Sequence, residues 1–168
     1  IPLSKYTSED RNETGSSYEE NAFIKAEFAS RLTGLPAFGD DSGLEVLALN
    51  GAPGIFSARF AGNKANDDLN NEKLLRKMHN QKEKAAKFIS VLSFFNFKTK
   101  ETVYTYGELF GKIIDIPRGT QGFGYDPIFQ IKNSEQTLAE LSKTERMKIS
   151  HRTISTEKMI KILSELQS

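Results

Sequence analysis

The chain has 168 residues, and its 23 Lys and Arg against 22 Asp and Glu leave a formal net charge of +1. This length is typical of one domain with one hydrophobic core, and the even charge balance disfavours a protein that binds nucleic-acid phosphates or an acidic membrane. The lack of cysteine excludes a disulfide scaffold, a thiolate zinc site and a cysteine nucleophile, and 2 histidines are too few for a multi-histidine metal site.

The sequence also bears on where the chain works and how it is organised. No apolar stretch approaches the roughly 20 residues that a membrane-spanning helix requires, and no basic leader precedes an apolar run. We therefore expect a cytoplasmic protein whose partners include neither membrane nor nucleic acid. No repeat or linker divides the sequence, so we expect a single domain over residues 1–168. Because the chain opens on the strand-like or loop-like tripeptide Ile1-Pro2-Leu3, we expect it to begin part-way through that domain.

The first predicted helix is bounded by local signals. Ser17 is a suitable N-cap, and Glu20 completes a capping-box pattern with it. The helix should continue to about Thr33, where glycine and proline follow. The apolar run over residues 35–39 then predicts a strand that ends in a polar turn over residues 40–43.

The rest of the chain alternates between helical and strand-like patterns. In order, the sequence predicts an amphipathic helix over residues 66–80, a hairpin of long strands over 85–98 and 101–116, a glycine-rich turn over 119–126, a short strand over 128–131 and a helix over 150–166. This interleaving favours an α/β or α+β domain around a mixed sheet.

Lys25 interrupts an otherwise apolar stripe on the first helix. At helical spacing, Tyr18, Ala22, Ala29 and Leu32 share its face. The lysine could extend along its aliphatic stem to solvent. Alternatively, its ammonium points into a cleft, where a phosphate would supply the counter-charge.

The segment Asp40-Asp41-Ser42-Gly43 follows the first predicted strand. Ligand sites of α/β sheets gather at strand ends, and adjacent carboxylates suit a hard cation such as Mg²⁺. Glu13, in the preceding loop, is a possible third carboxylate. In the alternative interpretation the aspartates only bond the local backbone of a turn.

A glycine-rich segment over residues 122–127 carries two aromatic residues and an acid. If it is extended, Phe123 and Tyr125 project to one side and could hold a flat base between them. Asp126 could then accept hydrogen bonds from ring N–H groups. Alternatively, the rings belong to the core beside a glycine turn.

The last predicted helix begins with Ser150-His151-Arg152. Free N–H groups at such a terminus favour an anion, and the paired donors of Arg152 suit the 6-oxo and N7 edge of a purine better than a 6-amino group. Alternatively, Ser150 is only an N-cap, with solvated His151 and Arg152 beyond it.

Six motifs stand in order along the chain: Glu13-Thr14-Gly15, residues 18–26 (YEENAFIKA), 40–44 (DDSGL), 51–59 (GAPGIFSAR), 122–129 (GFGYDPIF) and 150–152 (SHR). Together they resemble the inosine triphosphate pyrophosphatase family, the Ham1/RdgB-like enzymes, over essentially the whole chain from Glu13. The resemblance implies hydrolysis of ITP, dITP and XTP to the monophosphate and pyrophosphate with Mg²⁺. It also implies an elongated α/β fold with a central mixed sheet flanked by helices, a cleft between two lobes, and a homodimer.

The resemblance also implies a role for each matching residue. Glu13 and Asp41 would hold the metal, Asp40 or Asp41 would position the attacking water, and Lys25 would bind phosphate. Ser42 and Gly43 would line the phosphate and sugar region. Phe123, Tyr125 and Asp126 would hold the base, with Gly124 between them as a further substrate-binding residue, and His151 and Arg152 would recognise the 6-oxo edge of the base. Arg146 would also bind substrate: it stands, with Lys148 nearby, where the family usually has a lysine before Ser-His-Arg, and arginine places the charge differently.

One family feature has no counterpart in this sequence. The family opens with a strand and a Thr/Ser-x-Asn-x-x-Lys loop that cradles the triphosphate, and nothing before Glu13 matches it. We therefore expect the chain to be N-terminally truncated relative to the family. Two alternatives to an active enzyme remain: a catalytically impaired nucleotide-binding remnant, and a different Mg²⁺-dependent phosphohydrolase on the same scaffold.

Overall fold

The computed structural model describes residues 1–7 and 14–166 of the chain. Its helices are α1 (Tyr18–Thr33), α2 (Asp67–Met78), α3 (Lys143–Ile149) and α4 (His151–Leu166), and its strands are β1 (Ala37–Val46), β2 (Ala85–Phe95), β3 (Thr102–Ile113) and β4 (Phe129–Ile131). Short 3₁₀ helices occupy Leu3–Lys5, Leu47–Leu49, Gly54–Arg59, Asp126–Ile128 and Leu138–Glu140. None of the helices in the described part of the chain is long and apolar enough to cross a membrane.

The ends of α1 match the predicted helix. The Ser17 hydroxyl accepts the Glu20 N–H at 3.2 Å, and Gly34 closes the helix with a φ of 68°. The reciprocal bond of the predicted capping box is displaced by one residue, because the Glu20 carboxylate accepts from the N–H and hydroxyl of Ser16 rather than from Ser17. The cap therefore stabilises the same turn with a different partner.

Strand β1 is longer than the sequence predicted. It runs straight through residues 40–43, which pair with residues 89–92 of β2. The prediction of a polar turn there is wrong, because each polar side chain finds a partner on a helix or strand far along the sequence and the backbone does not need to fold back locally.

The strands form a four-stranded sheet in the order β1-β2-β3-β4. The predicted β2–β3 hairpin is present, and the α/β class with helices flanking a sheet is confirmed. In one respect the sheet differs from the expected mixed sheet: every strand pairing over the described residues is antiparallel. The short β2–β3 connection permits only that direction.

Helices α1 and α4 cover opposite faces of the sheet. Ala22 of α1 packs with Val91 on one face, whereas Ser155 of α4 bonds Ser90, the neighbouring residue of β2, on the other. Because successive strand residues point to opposite faces, these contacts assign α1 and α4 to the two sides. The main core lies on the α4 side and includes Leu44, Phe88 and Phe129, with Leu74 and Met78 of α2 packed against them.

Glycines let both helices lie close to the sheet. A Cβ on Gly39 of β1 would stand 2.1 Å from the Ala22 carbonyl oxygen of α1. A Cβ on Gly107 of β3 would stand 1.9 Å from the His151 carbonyl oxygen at the start of α4. Both distances are far below van der Waals contact, so these positions accept only glycine while the helices keep their places.

Helix α3 was not among the predicted elements. Ser142 accepts the Glu145 N–H at 3.3 Å, and the Glu145 carboxylate returns a bond to the Ser142 N–H at 2.9 Å. The sequence Ser-Lys-Thr-Glu carries this capping box. The helix is only 7 residues long, which leaves little periodicity to detect.

We predict that Gly107→Ala lowers the free energy of unfolding by about 2 kcal/mol, because the methyl group forces α4 away from the sheet. Urea denaturation followed by circular dichroism measures this change. Glu157→Ala, on the exposed side of α4, is the control and should stay within about 0.5 kcal/mol of wild type. Wild-type stability of Gly107→Ala would contradict the close approach of α4 to β3.

Candidate active site

Three consecutive residues of β1 distribute their side chains over both faces of the sheet. Asp41 points to α1, while Asp40 and Ser42 point to α4. The expectation that adjacent carboxylates share one cation is therefore wrong for Asp40 and Asp41. Each carboxylate instead belongs to its own group of partners.

On the α1 side, Lys25 and Asp41 form a partly buried ion pair. The Lys25 ammonium donates to Asp41 Oδ1 at 2.8 Å and to the Asp40 carbonyl oxygen at 2.9 Å. Asp41 is 5% exposed. The ammonium is thus held against β1 and does not extend along its stem into solvent, and the phosphate-binding interpretation of Lys25 stays a prediction.

Asn21 completes this group, although the sequence analysis did not single it out. Its Nδ2 donates to Asp41 Oδ2 at 3.3 Å, and the residue is fully buried. Its signal in the sequence was its position one helical turn before Lys25, on the same face of α1.

On the α4 side, Arg152 bonds two side chains of β1. Its Nε donates to Asp40 Oδ2 at 3.0 Å, and its Nη2 donates to the Ser42 hydroxyl at 2.5 Å. Arg152 therefore lies over β1 and is not simply solvated beyond a helix cap. Strand β1 connects this pair directly to the Lys25–Asp41 pair on the opposite face.

A pocket of about 440 Å³ adjoins Arg152. It lies between the glycine-rich turn, α3 and the start of α4, and its lining includes Phe123, Asp126, Arg146, His151 and Arg152. Its volume is in the range of small-molecule sites. Five of the predicted substrate-binding residues thus line one cavity.

The two aromatic residues of the glycine-rich turn do not project to the same side. Phe123 is 66% exposed at the pocket, whereas Tyr125 is 4% exposed in the core and donates its hydroxyl to the Ser57 carbonyl oxygen. The expectation of a paired grip is wrong because Gly122 and Gly124 have φ values of 86° and 61°. Left-handed residues break the alternation that an extended segment would have.

Asp126 is a buried acid beside two arginines. Burial raises its pKa to about 6, against smaller opposing effects from the Phe123 N–H and from Arg146 and Arg152. Its Oδ2 accepts the Phe123 N–H at 3.2 Å and lies 3.9 Å from Arg146 Nε. Asp126 therefore holds the turn and contributes a titrating carboxyl group to the pocket.

His151 is uncharged near neutral pH. Burial, and then the positive charge of Arg152, lowers its pKa to about 4. The ring stacks on Phe88 with centroids 5.0 Å apart, and its Nδ1 has no hydrogen-bond partner among the described residues. An uncharged ring at the pocket can exchange hydrogen bonds with a ligand of either polarity.

The two glycines predicted to bind substrate lie in different surroundings. Gly43 packs under the turn of residues 54–59, where a Cβ would stand 2.4 Å from the Gly54 carbonyl oxygen. Gly124 is held by α2: its N–H donates to Asp67 at 2.6 Å, and its carbonyl oxygen accepts from Asn71 at 2.9 Å. Asp67 and Asn71 gave no signal in the sequence, because only the fold brings α2 to this turn.

The Asp41 carboxylate itself is chemically suited to a hard cation, although its side-chain partners, Lys25 and Asn21, are hydrogen-bond donors. Carboxylate oxygens are the ligands that Mg²⁺ prefers, and it retains several waters. Glu13, the other predicted metal ligand, lies outside the described residues. Within residues 1–7 and 14–166 no cluster of three or more His, Cys, Asp or Glu forms a complete cage, so Asp41 could supply only part of a coordination shell.

Comparisons with known proteins give the class of this α/β chain, which is that of the nucleoside-triphosphate pyrophosphatases. A family model described as the Ham1 family matches residues 2–162, and the chain belongs to that family. A dITP/XTP pyrophosphatase of Christiangramia forsetii is 43% identical over 157 residues, which cover 94% of this chain and 82% of that protein.

Further comparisons agree with that membership. A dITP/XTP pyrophosphatase of Staphylococcus aureus is 47% identical over 143 residues, or 85% of this chain and 73% of that protein. The solved structure of a HAM1 protein from Coxiella burnetii has a TM-score of 0.93 at 40% identity, covering 98% of this chain and 85% of its own. The family indicated by the six motifs is therefore confirmed.

Asp126 and His151 should give opposite pH dependences of stability. The folded state raises the pKa of Asp126 from 3.8 to about 6, so the stability from its protonated form is present below pH 3.8 and lost as pH rises through about 6. The folded state lowers the pKa of His151 from 6.5 to about 4. The stability from its uncharged form is therefore present above pH 6.5 and lost as the pH falls through about 4.

We predict that Asp126→Asn becomes more stable relative to wild type as the pH rises from 4 to 7. The difference between their free energies of unfolding should increase by on the order of 3 kcal/mol over that range. The corresponding difference for His151→Gln should decrease over that range. Chemical denaturation across a pH series measures both, and Asn80→Ala, an exposed neutral site, should show a difference that does not change with pH. A flat difference for Asp126→Asn would contradict the raised pKa.

Proposed function

We propose that this chain hydrolyses the α–β phosphoanhydride of non-standard purine nucleoside triphosphates, namely ITP, dITP and XTP, and releases the monophosphate and pyrophosphate. The observation that carries the proposal is the two-sided site of β1, with Lys25–Asp41 on one face and Asp40–Arg152 beside a purine-sized pocket on the other. Relatives that are 43% and 47% identical are dITP/XTP pyrophosphatases.

The triphosphate binds on the α1 side of β1. Lys25 neutralises phosphate oxygens, and Asp41 orients the attacking water and accepts its proton. The water oxygen forms a bond to the α-phosphorus while the bond from that phosphorus to the bridging oxygen breaks, and pyrophosphate leaves with the electron pair. The contribution of these residues is chiefly positioning and charge neutralisation.

Mg²⁺ fits this side of the site. Asp41, with Glu13 and phosphate oxygens, would hold the ion, which when bound supplies charge neutralisation and lowers the pKa of water. Asn21 and Lys25 keep the Asp41 carboxylate in one orientation. Asp40 bonds Arg152 on the other face, so between the two aspartates we assign the water to Asp41.

The base binds in the pocket on the α4 side. Arg152 donates to the 6-oxo group and N7 edge, Phe123 covers a face of the ring, and His151 and the ionised Asp126 accept or exchange hydrogen bonds with ring N–H groups. A 6-amino group would instead place a donor opposite the Arg152 donors, leaving both without an acceptor. Such a mispairing costs on the order of 1–3 kcal/mol.

Arg146 and Tyr125 act in this proposal through the shape and charge of the base pocket. Arg146 stands beside Asp126 and bonds the Leu141 carbonyl oxygen, which holds its charge at the pocket wall. Tyr125 and Gly124 anchor the turn that presents Phe123. Ser42 and Gly43 are the next residues of β1 after Asp41 and lie between the phosphate-binding face of the strand and its base-binding face.

The proposal extends to assembly and location. We infer a homodimer, supported by the exposed aromatic side chains of Tyr104, Tyr106 and Phe110, which stand on one face of β3. We also infer a cytoplasmic location, in keeping with a nucleotide substrate. The remnant alternative is not favoured, because relatives 43% and 47% identical to this chain are dITP/XTP pyrophosphatases.

We predict that Lys25→Ala and Asp41→Asn each lower kcat/KM for ITP at least a hundredfold, because each removes charge control at the reacting phosphate. Pyrophosphate release from ITP, dITP and XTP measures the effect. Lys98→Ala, in the exposed β2–β3 turn, removes the same charge elsewhere and should retain wild-type activity. Wild-type kcat/KM in either site variant would overturn the assignment.

We also predict that removal of divalent cations with a chelator abolishes pyrophosphate release and that added Mg²⁺ restores it, because the Asp41 carboxylate provides oxygen ligands for a hard cation. Isothermal titration should show Mg²⁺ binding in the presence of a non-hydrolysable ITP analogue, weakened at least tenfold in Asp41→Asn. Full activity in chelator would exclude the metal-assisted mechanism.

A further inference from the structure

A line of buried hydroxyl groups crosses the interface between the sheet and α4. Ser90 of β2 is fully buried, Ser155 of α4 is 1% exposed and Thr105 of β3 is 4% exposed. The Ser90 and Ser155 hydroxyls lie 2.9 Å apart, and the Thr105 hydroxyl donates to the Ser155 carbonyl oxygen at 2.8 Å. Polar groups at such a depth are tolerated because each is hydrogen-bonded.

These hydroxyls close a ring with the Asp40–Arg152 ion pair. Each serine has one hydroxyl proton to donate. Ser90 donates its proton to Asp40 Oδ1 at 2.7 Å, and Ser155 donates its proton either to the Ser90 hydroxyl oxygen at 2.9 Å or to the Arg152 carbonyl oxygen at 3.0 Å. Arg152 Nε completes the ring by donating to Asp40 Oδ2 at 3.0 Å. We refer to Asp40, Ser90, Ser155 and Arg152 as the serine ring.

The serine ring contacts Arg152 at its main chain and at its guanidinium. The guanidinium is held by Asp40, whose other oxygen accepts from Ser90, and Ser155 lies within hydrogen-bond distance of both the Ser90 hydroxyl and the Arg152 carbonyl oxygen. Neither serine lines the pocket, whereas Arg152 does. Members of a buried network strengthen one another, so loss of one hydroxyl should loosen the whole ring.

We propose that Ser90 and Ser155 are positioning residues for base selectivity: through the serine ring they hold the Arg152 guanidinium where its donors match a 6-oxo purine and oppose a 6-amino purine. The inference rests on the proposed function. It concerns selectivity rather than hydrolysis, because Lys25 and Asp41 lie on the opposite face of β1.

The first test is substrate discrimination. In Ser90→Ala and Ser155→Ala, the ratio of kcat/KM for ITP to that for ATP should fall about tenfold, since a misplaced donor no longer penalises the 6-amino group fully, while kcat for ITP changes less than threefold. Ser90→Thr keeps the hydroxyl and should restore much of the selectivity. Wild-type selectivity in both alanine variants would overturn the proposal.

A matched control separates positioning from general destabilisation. Ser93 lies on the same strand and is as fully buried as Ser90, but it points to the other face of the sheet and lies outside the serine ring. Ser93→Ala should preserve the ITP-to-ATP ratio even where it lowers stability. A similar loss of selectivity in Ser93→Ala would show that the effect is structural and would contradict the proposal.

A double-mutant cycle tests whether the serines act through Arg152. Arg152→Ala should itself reduce selectivity, and adding Ser90→Ala to it should cause no further loss. Independent, multiplying losses would overturn the proposed route.

A final measurement does not depend on activity. In ¹⁵N-labelled protein the Arg152 Nε–Hε group, held by Asp40, should give a slowly exchanging signal that is broadened or lost in Ser90→Ala and retained in Ser93→Ala. If wild type fails to hydrolyse ITP, the proposed function fails while this signal still tests the ring. If wild type hydrolyses ITP but the signal is unchanged in Ser90→Ala, the ring proposal alone fails.

Discussion

The alternation of side chains along β1 is the constraint on which the site depends. Because successive residues of a strand face opposite ways, Asp41 is directed to Lys25 under α1, and its neighbours Asp40 and Ser42 are directed to Arg152 under α4. One strand therefore carries a charged pair on each face with no loop between them. The separation of the two pairs is set by the backbone itself, which is more rigid than any loop of the same length.

The two ion pairs form because α1 and α4 lie close to the sheet. Gly39 and Gly107 remove the side chains that would hold α1 and α4 away from the sheet, so a lysine on one helix and an arginine on the other reach β1 directly. The Lys25–Asp41 pair is partly shielded from water, where charge interactions are stronger than at an open surface, whereas the Asp40–Arg152 pair is more exposed. Residues without chemical roles of their own thus determine the geometry of those that have them.

The sequence predicted local features well and long-range partners poorly. The ends of α1, the helix α2 and the β2–β3 hairpin follow from caps and periodicity, and the structure confirms them. The prediction of a turn over residues 40–43 was wrong because the partners of these polar residues are Lys25, Ser90 and Arg152, which are far away in the sequence. Motif order still indicated most of the site, but the buried serines have no local signature and become visible only when α4 is packed on the sheet.

The charges are divided between the two faces in a way that suits a nucleotide. Near neutral pH, burial leaves His151 uncharged with a pKa of about 4, while Asp126, with a pKa of about 6, is ionised beside Arg146 and Arg152. In the proposed function the pocket offers donors and acceptors to an uncharged base, and Lys25 binds the phosphates on the other face. A few placed charges accomplish what a basic surface would do less selectively, which accounts for a net charge of only +1.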